Sequence, residues 1–587
     1  MPTTVLAAAD SGIKLNLQPI DYAILVFYFV VVIAIGWISG RRMKSSTDFL
    51  LAGRSMPAWI TGIAFMAANL GATEIFGMAA NGAQIGMSTL HYYIIGAIPA
   101  MVFLGIFMMP FYYGSGVRSV PEFMYRRFGK SAHLVCSLCF ATSTLLISGI
   151  NLYAMAIIIE AMLGWSQISA IIFSGVIVLV YTYLGGLKSA VYNEVMQFFV
   201  ILAALIPLTV VGLRNIGGWE GLKTSLAATP GIGDLHLSAW QGTGIGNVTN
   251  PMGADWFTIV MGLGFVISFG YWTTNFTEVQ RAFSAKDMTA ARRTPIYACF
   301  PKLFVGFLVI IPGCIAAAVL SKQFASGALT YNESIPKLIQ MYLPSGVLGI
   351  AVTGLMASFM AGMAANVSSF NTVFTYDLLQ DYIKPGKPDS YYFKAGRIIT
   401  IVGVLISVGT AFVASQFGNI MTYMQVLFGF FNSPLFAVFI LGLFFKRITP
   451  AGATAGYVVG IIAPFCVYLW YLQSVAAGNP IFPTATSGTL YQAEISLASA
   501  MVVAIVVSLF TKPKADSEIE GLTFATGGMK YFRYDIMEDA EAHDKGQTLD
   551  KAARTAAVEK ERKDNHVTIF LGILALVISV IQYAIFF

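Results

Sequence analysis

Charge is what this sequence has least of. Asp, Glu, Lys and Arg make up 11% of its 587 residues, under half the roughly 25% of a soluble protein. Apolar residues make up 57% and the mean hydropathy is +0.73, which excludes a soluble globular fold. The net charge of +6 therefore raises no expectation of a nucleic-acid partner. Cysteine is scarce as well. Cys136, Cys139, Cys299, Cys314 and Cys466 all fall in apolar segments, so a disulfide framework is not expected and each reads as a small packing residue. His91, His133, His236, His543 and His566 are scattered, without metal-ligand spacing. Neither a nucleophile–base set nor a phosphate-binding loop stands out, so no enzyme is expected. Nor is a cleavable signal peptide: the first apolar run follows Asp21 and has no basic flank.

What is present is a series of apolar runs, each about twenty residues long, the length that crosses a bilayer. They fall near 21–41, 58–83, 92–112, 133–163, 166–185, 193–213, 256–277, 299–320, 344–378, 395–416, 419–445, 450–472, 491–511 and 567–586. The expected fold is an all-α integral membrane protein with about fourteen transmembrane helices. Basic residues alternate between its loops. Arg41, Arg42, Lys44 and Arg54 follow the first span, Arg126, Arg127 and Lys130 the third, and Lys188 the fifth. Arg281, Lys286, Arg292 and Arg293 follow the seventh, and Lys384, Lys387, Lys394 and Arg397 the ninth. Lys446 and Arg447 follow the eleventh. Such loops stay in the cytoplasm, which places both termini outside a cell membrane.

One run departs from a lipid-facing helix. Ala58 to Ala83 carries Asn69-Leu70-Gly71-Ala72-Thr73-Glu74 near its middle. Freed carbonyls and an acid are tolerated there only where they line a polar cavity or are satisfied by neighbouring helices. The seventh run carries Ser268-Phe269-Gly270-Tyr271-Trp272-Thr273-Thr274-Asn275, a second interruption at Gly270. The two lie five spans apart, and an odd displacement inverts orientation. Two discontinuous helices at matching positions of inverted halves point to a binding site at the membrane midplane.

The expected organisation follows. Residues 1–20 are an extramembrane tail and 21–41 an extra first helix. Residues 58–213 form the first repeat, 256–445 the second, and 450–511 additional helices. Residues 512–566 form a charged cytoplasmic linker, a solvated tether partly helical around Leu549–Arg562, and 567–587 the last helix. Glu74 and Lys302 are the ionisable residues hardest to explain as packing, each costing about 2.5–3.5 kcal/mol at a helix centre. They either pair with each other or hydrogen-bond a polar substrate. Tyr271 and Trp272 are either ordinary packing or a face on which a sugar ring stacks.

These residues resemble the sodium/solute symporter family, and within it the sodium/glucose cotransporter branch, over roughly residues 20–470. The resemblance includes Gly185-Gly186-Leu187-Lys188-Ser189, the pattern Gly442-Leu443, Arg447 and Gly452-Ala453, and Val120-Pro121-Glu122-Phe123. It also includes Arg126-Arg127-Phe128-Gly129, Gln280-Arg281 and Phe374-Thr375-Tyr376-Asp377. It implies a five-plus-five inverted repeat. It implies sugar contacts at Asn69, Tyr271, Trp272 and Lys302, with Tyr271 as an inner aromatic gate and Tyr92 at an outer gate. Glu74 stands where the family has Gln, Tyr93 and Gly96 where it has Glu and Ser, and Ser268 where it has Asn. Gln425 lies one position from an expected Gln. A Na⁺ is implied between carbonyls of Ala67 and Leu70 and the ninth span, with Ser358 as a carbonyl position. Ala361 and Gly362 occupy the two hydroxyl positions, so two hard oxygen ligands are missing. Glu194 matches an acid that attracts the departing cation.

The expected function is cation-coupled symport of a small polar solute, a sugar or polyol, with Na⁺ as coupling ion. H⁺ titrating Glu74 or Glu194 is the alternative. Other readings are a symporter of an organic acid, amino acid or nucleobase on the same scaffold, or a transporter-derived sensor. The lipid bilayer and a small-molecule substrate are the partners expected; no obligate protein partner is.

Overall fold

The computed structural model describes residues 13–40, 52–117, 119–230, 233–526 and 551–586. Among them, 12 helices are long and apolar enough to cross a membrane. A further span is built of two segments, Ala58–Asn69 and Thr73–Leu90, bent by 60° at a short break. Gln167–Val180 adds a shorter apolar helix. These account for the runs read from the sequence, with one difference: helix continues through Gln167–Asn215, where two spans were expected. The described β structure is a hairpin of two-residue strands, Thr243–Gly244 with Asn247–Val248.

The centre of the molecule is Val347–Val373. Its Ala, Gly and Ser residues leave little side-chain bulk, so neighbouring backbones approach closely. A Cβ on Gly354 would meet that of Ala204 at 2.3 Å, and one on Gly362 would meet the Gly71 Cα at 2.9 Å. This helix packs on Lys130–Leu163 and Gln167–Asn215. The first helix, Pro450–Ala476 and the last helix lie at the periphery, mostly uncovered by protein.

Both interruptions exist, and each has a local cause. In the first, helix ends at Asn69 and Leu70 turns to ψ 39°. The freed backbone groups find partners on other spans: Ala72 N–H donates to Asn151 Oδ1 at 2.9 Å, and the Ser358 hydroxyl donates to the Leu70 carbonyl. The second break is at Asn275, not at Gly270. Gly270 is helical, and Asn275 turns to ψ 106° and caps Phe276–Phe283, its Oδ1 accepting from Thr277 N–H at 3.0 Å. An Asn side chain competes with the helix for its own backbone, which a bare Gly cannot do. Before that break the backbone is π-helical over Ile259–Phe269, a widened turn common at functional sites. The chain beside the two broken segments is tied together: Met56 N–H donates to Ser284 O at 3.1 Å and Lys286 N–H to Met56 O at 2.9 Å.

Several loop assignments change. Arg127 and Arg281 are fully buried. Arg127 donates to the carbonyls of Gly442 and Phe445 at 3.0 and 3.1 Å, closing the end of Ser433–Phe444, where a helix has carbonyls to spare. Leu187 of the Gly-Gly-Leu motif packs with Met56, Ile60 and Val191. The described end of the linker is not a free tether: Lys551–Ile585 is one helix that runs into the last span. Glu561 accepts from Thr289 at 2.6 Å, and Asp564 pairs with Arg293 at 2.8 Å. Cys466 is exposed, whereas the other four cysteines are buried or half-buried, and all five are free thiols. The tail before Ile13, Arg41 to Lys44, and residues 527–550 of the linker, with His543, lie outside the described residues.

Candidate functional site

The two broken segments face each other across a small cavity, with about 50 Å³ of room for the centres of water-sized molecules. Asn69, Glu74, Tyr92, Ser268, Tyr271, Trp272, Lys302 and Gln425 all line it. Tyr93 lies behind it: its ring packs on Gly306 and sits 4.8 Å from Lys302 Nζ. Residues up to 356 positions apart in the chain are thus gathered at one place.

The polar lining is a connected network. Lys302 Nζ lies 2.7 Å from Glu74 Oε1 and donates to Asn69 Oδ1 at 2.6 Å. Asn69 Nδ2 donates to the Tyr271 hydroxyl at 3.0 Å, and that hydroxyl donates to Glu278 Oε1 at 2.5 Å. The Lys302 ammonium is also 5.4 Å from the Trp272 ring, within reach of a cation–π attraction. Trp272 stacks on Phe65 at 5.7 Å, and Tyr271 packs on Phe428 at 4.7 Å. Charge in the lining is therefore balanced, and its aromatic faces are held by neighbours. Tyr92 borders Gln425 and Asn81. Neither end of the buried Gln425 amide makes a well-formed hydrogen bond within the protein.

The residues expected to hold Na⁺ come together only in part. Leu70 and Ser358 meet directly, and the Ala67 carbonyl accepts from Leu70 N–H at 3.1 Å. Ala361 and Gly362 bring no side-chain oxygen. Instead Asn151 Oδ1 is wedged between Gly71 and Gly362, within 2.7 Å of where a Cβ on either would stand. Glu194 is buried, and both its oxygens engage Arg281, one of them with Nε at 3.2 Å. Arg281 Nη1 also donates to Thr277 O at 2.8 Å.

The sequence reading missed Met421, Met424 and Phe428, which line the cavity beside Gln425. Their spacing of three and four places them on one helical face, a signal that was present. It also missed Glu278 and Asn151. Glu278 sits among Asn275, Thr277, Gln280 and Arg281, a polar stretch that reads as the loop after the seventh span. Asn151 is a single polar residue in an apolar run, with no local pattern to mark it.

Residues 49–460 match the family model for the sodium:solute symporter family. A sodium/glucose cotransporter of Vibrio parahaemolyticus is 29% identical over 485 residues, 79% of this chain and 87% of that one. A sodium/myo-inositol cotransporter 2 of Rattus norvegicus is 28% identical, over 87% of this chain and 80% of that one. The structure of a Na⁺-coupled sialic acid symporter in a substrate-bound, outward-open state superposes with a TM-score of 0.69 at 18% identity, covering 84% of this chain and 99% of that one. The chain belongs to the sodium:solute symporter family and is a multi-pass membrane transporter.

Proposed function

We propose that the protein couples Na⁺ entry to uptake of a neutral, hydroxyl-rich solute, a sugar or polyol, by alternating access. The observation that carries this reading is the lining of the cavity between the broken segments. It has aromatic faces at Tyr271 and Trp272, a cation neutralised by Glu74 at 2.7 Å, and amides at Asn69 and Gln425. Aromatic planes suit the C–H face of a sugar ring, and amides both donate to and accept from hydroxyls. A carboxylate substrate would need an unpaired base, and Lys302 is already paired. The relatives named for glucose and myo-inositol support the same solute class.

Sodium is the coupling ion in this reading. The Ala67 and Leu70 carbonyls, Ser358 and the Asn151 amide oxygen are hard oxygens beside the first break, each already in one hydrogen bond with the protein and each with a lone pair left for a cation. One charge moving down a potential of 100 mV releases about 2.3 kcal/mol, enough to concentrate a neutral solute roughly fiftyfold. With the basic loops in the cytoplasm, both termini lie outside.

The test is uptake of labelled sugars and polyols into proteoliposomes under an imposed Na⁺ gradient and, separately, an imposed H⁺ gradient. Accumulation of one of them under the Na⁺ gradient is the expected result. Accumulation of a carboxylic acid instead, with no sugar or polyol transported, would overturn the solute assignment.

A further inference from the structure

Glu278 belongs to the second broken segment, three residues past the break, and is 2% exposed. Glu74 is paired with Lys302, and Glu194 with Arg281. Glu278, by contrast, has no ion-pair partner among the described residues. Its Oε1 accepts from Tyr271, while its Oε2 is buried without a hydrogen bond. With Asn275, Thr277 and Asn366, Glu278 lines a second, smaller cavity with about 20 Å³ of room for the centres of water-sized molecules, enough for about one water. Asn69, Thr73, Tyr271 and Met424 border both cavities, so the Tyr271 hydroxyl is part of the wall between them.

A carboxylate buried without a counter-charge is costly, and such a group relieves the cost by taking up a proton. The charged and titratable groups around Glu278 are Tyr271, Arg281, Lys302 and, across the network, Glu74. Both cations among them are committed elsewhere, Arg281 to Glu194 and Lys302 to Glu74. Several side-chain oxygens facing the second cavity are engaged with protein: Thr277 with Ser369 at 2.8 Å, Asn275 with Thr277 N–H, and Asn151 with Ala72 N–H. One free carboxylate oxygen suits a proton better than a metal cation, which asks for several free oxygens at once.

We propose that Glu278 is a proton-binding site linked to the solute cavity through the hydrogen-bond chain Lys302–Asn69–Tyr271–Glu278. The proton sits on Oε2 while the second cavity is shut, and it leaves to water when that cavity opens. The solute-facing members of the chain, Lys302 and Asn69, pass the effect on. A solute that draws Asn69 or Tyr271 toward itself weakens the Tyr271 bond to Glu278 and strengthens proton binding. By reciprocity the proton strengthens solute binding. The link to solute rests on the transport reading above; the protonation state of Glu278 does not.

Infrared spectroscopy of the reconstituted full-length protein reads that state directly, without any solute. The expected result is a carboxylic-acid C=O band near neutral pH that disappears as pH rises and is missing from Glu278→Gln. A Glu278→Gln spectrum that superposes on the wild type in the carboxylic-acid region, and loses only carboxylate bands, would mean an ionised Glu278 and would overturn the proposal. Tyr271→Phe is the second variant. It removes a donor to the carboxylate, so the band should persist to higher pH, and an unchanged titration would overturn the link to Tyr271. Adding glucose or myo-inositol should also carry the band to higher pH. Failure of that last shift alone, with the band and both variant effects present, would count against the solute assignment rather than against the proton site.

Discussion

Lys302 and Glu74 meet at 2.7 Å, and neither side chain is more than 4% exposed. They come from different spans, and the pair is closed in by Asn69, Tyr93 and Trp272. Each charge makes the other tolerable, and together they give the cavity polarity without net charge.

Removing one partner should therefore do more than remove a contact. Lys302→Ala strands Glu74, and breaking a buried pair costs about 3–5 kcal/mol. The expected result is a marked fall in thermal stability in detergent together with loss of uptake. Lys302→Ala combined with Glu74→Gln should recover much of the stability and none of the uptake. Equal unfolding temperatures for the single and double variants would show that the pair is not what Lys302 contributes.

Tyr271 has separable parts. Its ring packs on Trp272 at 5.0 Å and Phe428 at 4.7 Å, while its hydroxyl joins Asn69 to Glu278. Tyr271→Phe keeps the ring and should weaken solute binding only about threefold, within the range of one neutral hydrogen bond. Tyr271→Ala also loses the stacking face and should weaken it by about tenfold or more. Equilibrium binding of radiolabelled solute separates the two.

The sodium donors can be probed at adjacent positions. Ala361→Ser adds a hydroxyl on the span that holds Ser358 and should lower the Na⁺ concentration needed for half-maximal uptake. Gly362→Ala should behave oppositely. Its Cβ would lie 2.6 Å from Asn151 Oδ1 and 2.9 Å from Gly71 Cα, and overpacking of this kind costs about 1–3 kcal/mol. Uptake measured across a Na⁺ series should show a gain for the first variant and lower stability and activity for the second.

Asp21 offers a test of fold alone. Its carboxylate accepts from Gly346 N–H at 2.7 Å, Gly349 N–H at 2.8 Å and the Ser345 hydroxyl at 3.1 Å. The first helix thereby caps the start of Val347–Val373. Asp21→Ala should cost about 0.5–2 kcal/mol, the usual range for a lost N-cap, and Asp21→Asn less. Solute affinity in the folded fraction should stay at the wild-type value in both, as judged by thermal unfolding beside solute binding.

Much of the site was legible because its signals are local. An Asn, a Gly and a Glu inside an apolar run mark a break without reference to anything else, and so do Tyr271 and Trp272 in the second run. The second break was misplaced by five residues. Gly270 looked like the weak point, yet the side chain of Asn275 makes the turn. Arg281 was read as a loop base because it follows an apolar run. Nothing in the chain around it shows that Glu194, 87 positions earlier, neutralises it.

By itself, then, the sequence determined the membrane class, the approximate spans, the two interruptions and most of the residues that line the cavity. Each of these follows from composition and period over a few turns of helix. The tertiary structure decided the partners. Asn151 takes the amide freed at Ala72, Ser358 takes the carbonyl freed at Leu70, and Asn69 and Tyr271 connect Lys302 to Glu278. These partners lie far apart in the chain, and a hydrogen bond depends on ångström distances that helix packing sets. In an apolar interior most polar groups find such a partner, but which one each finds is fixed only when the helices meet.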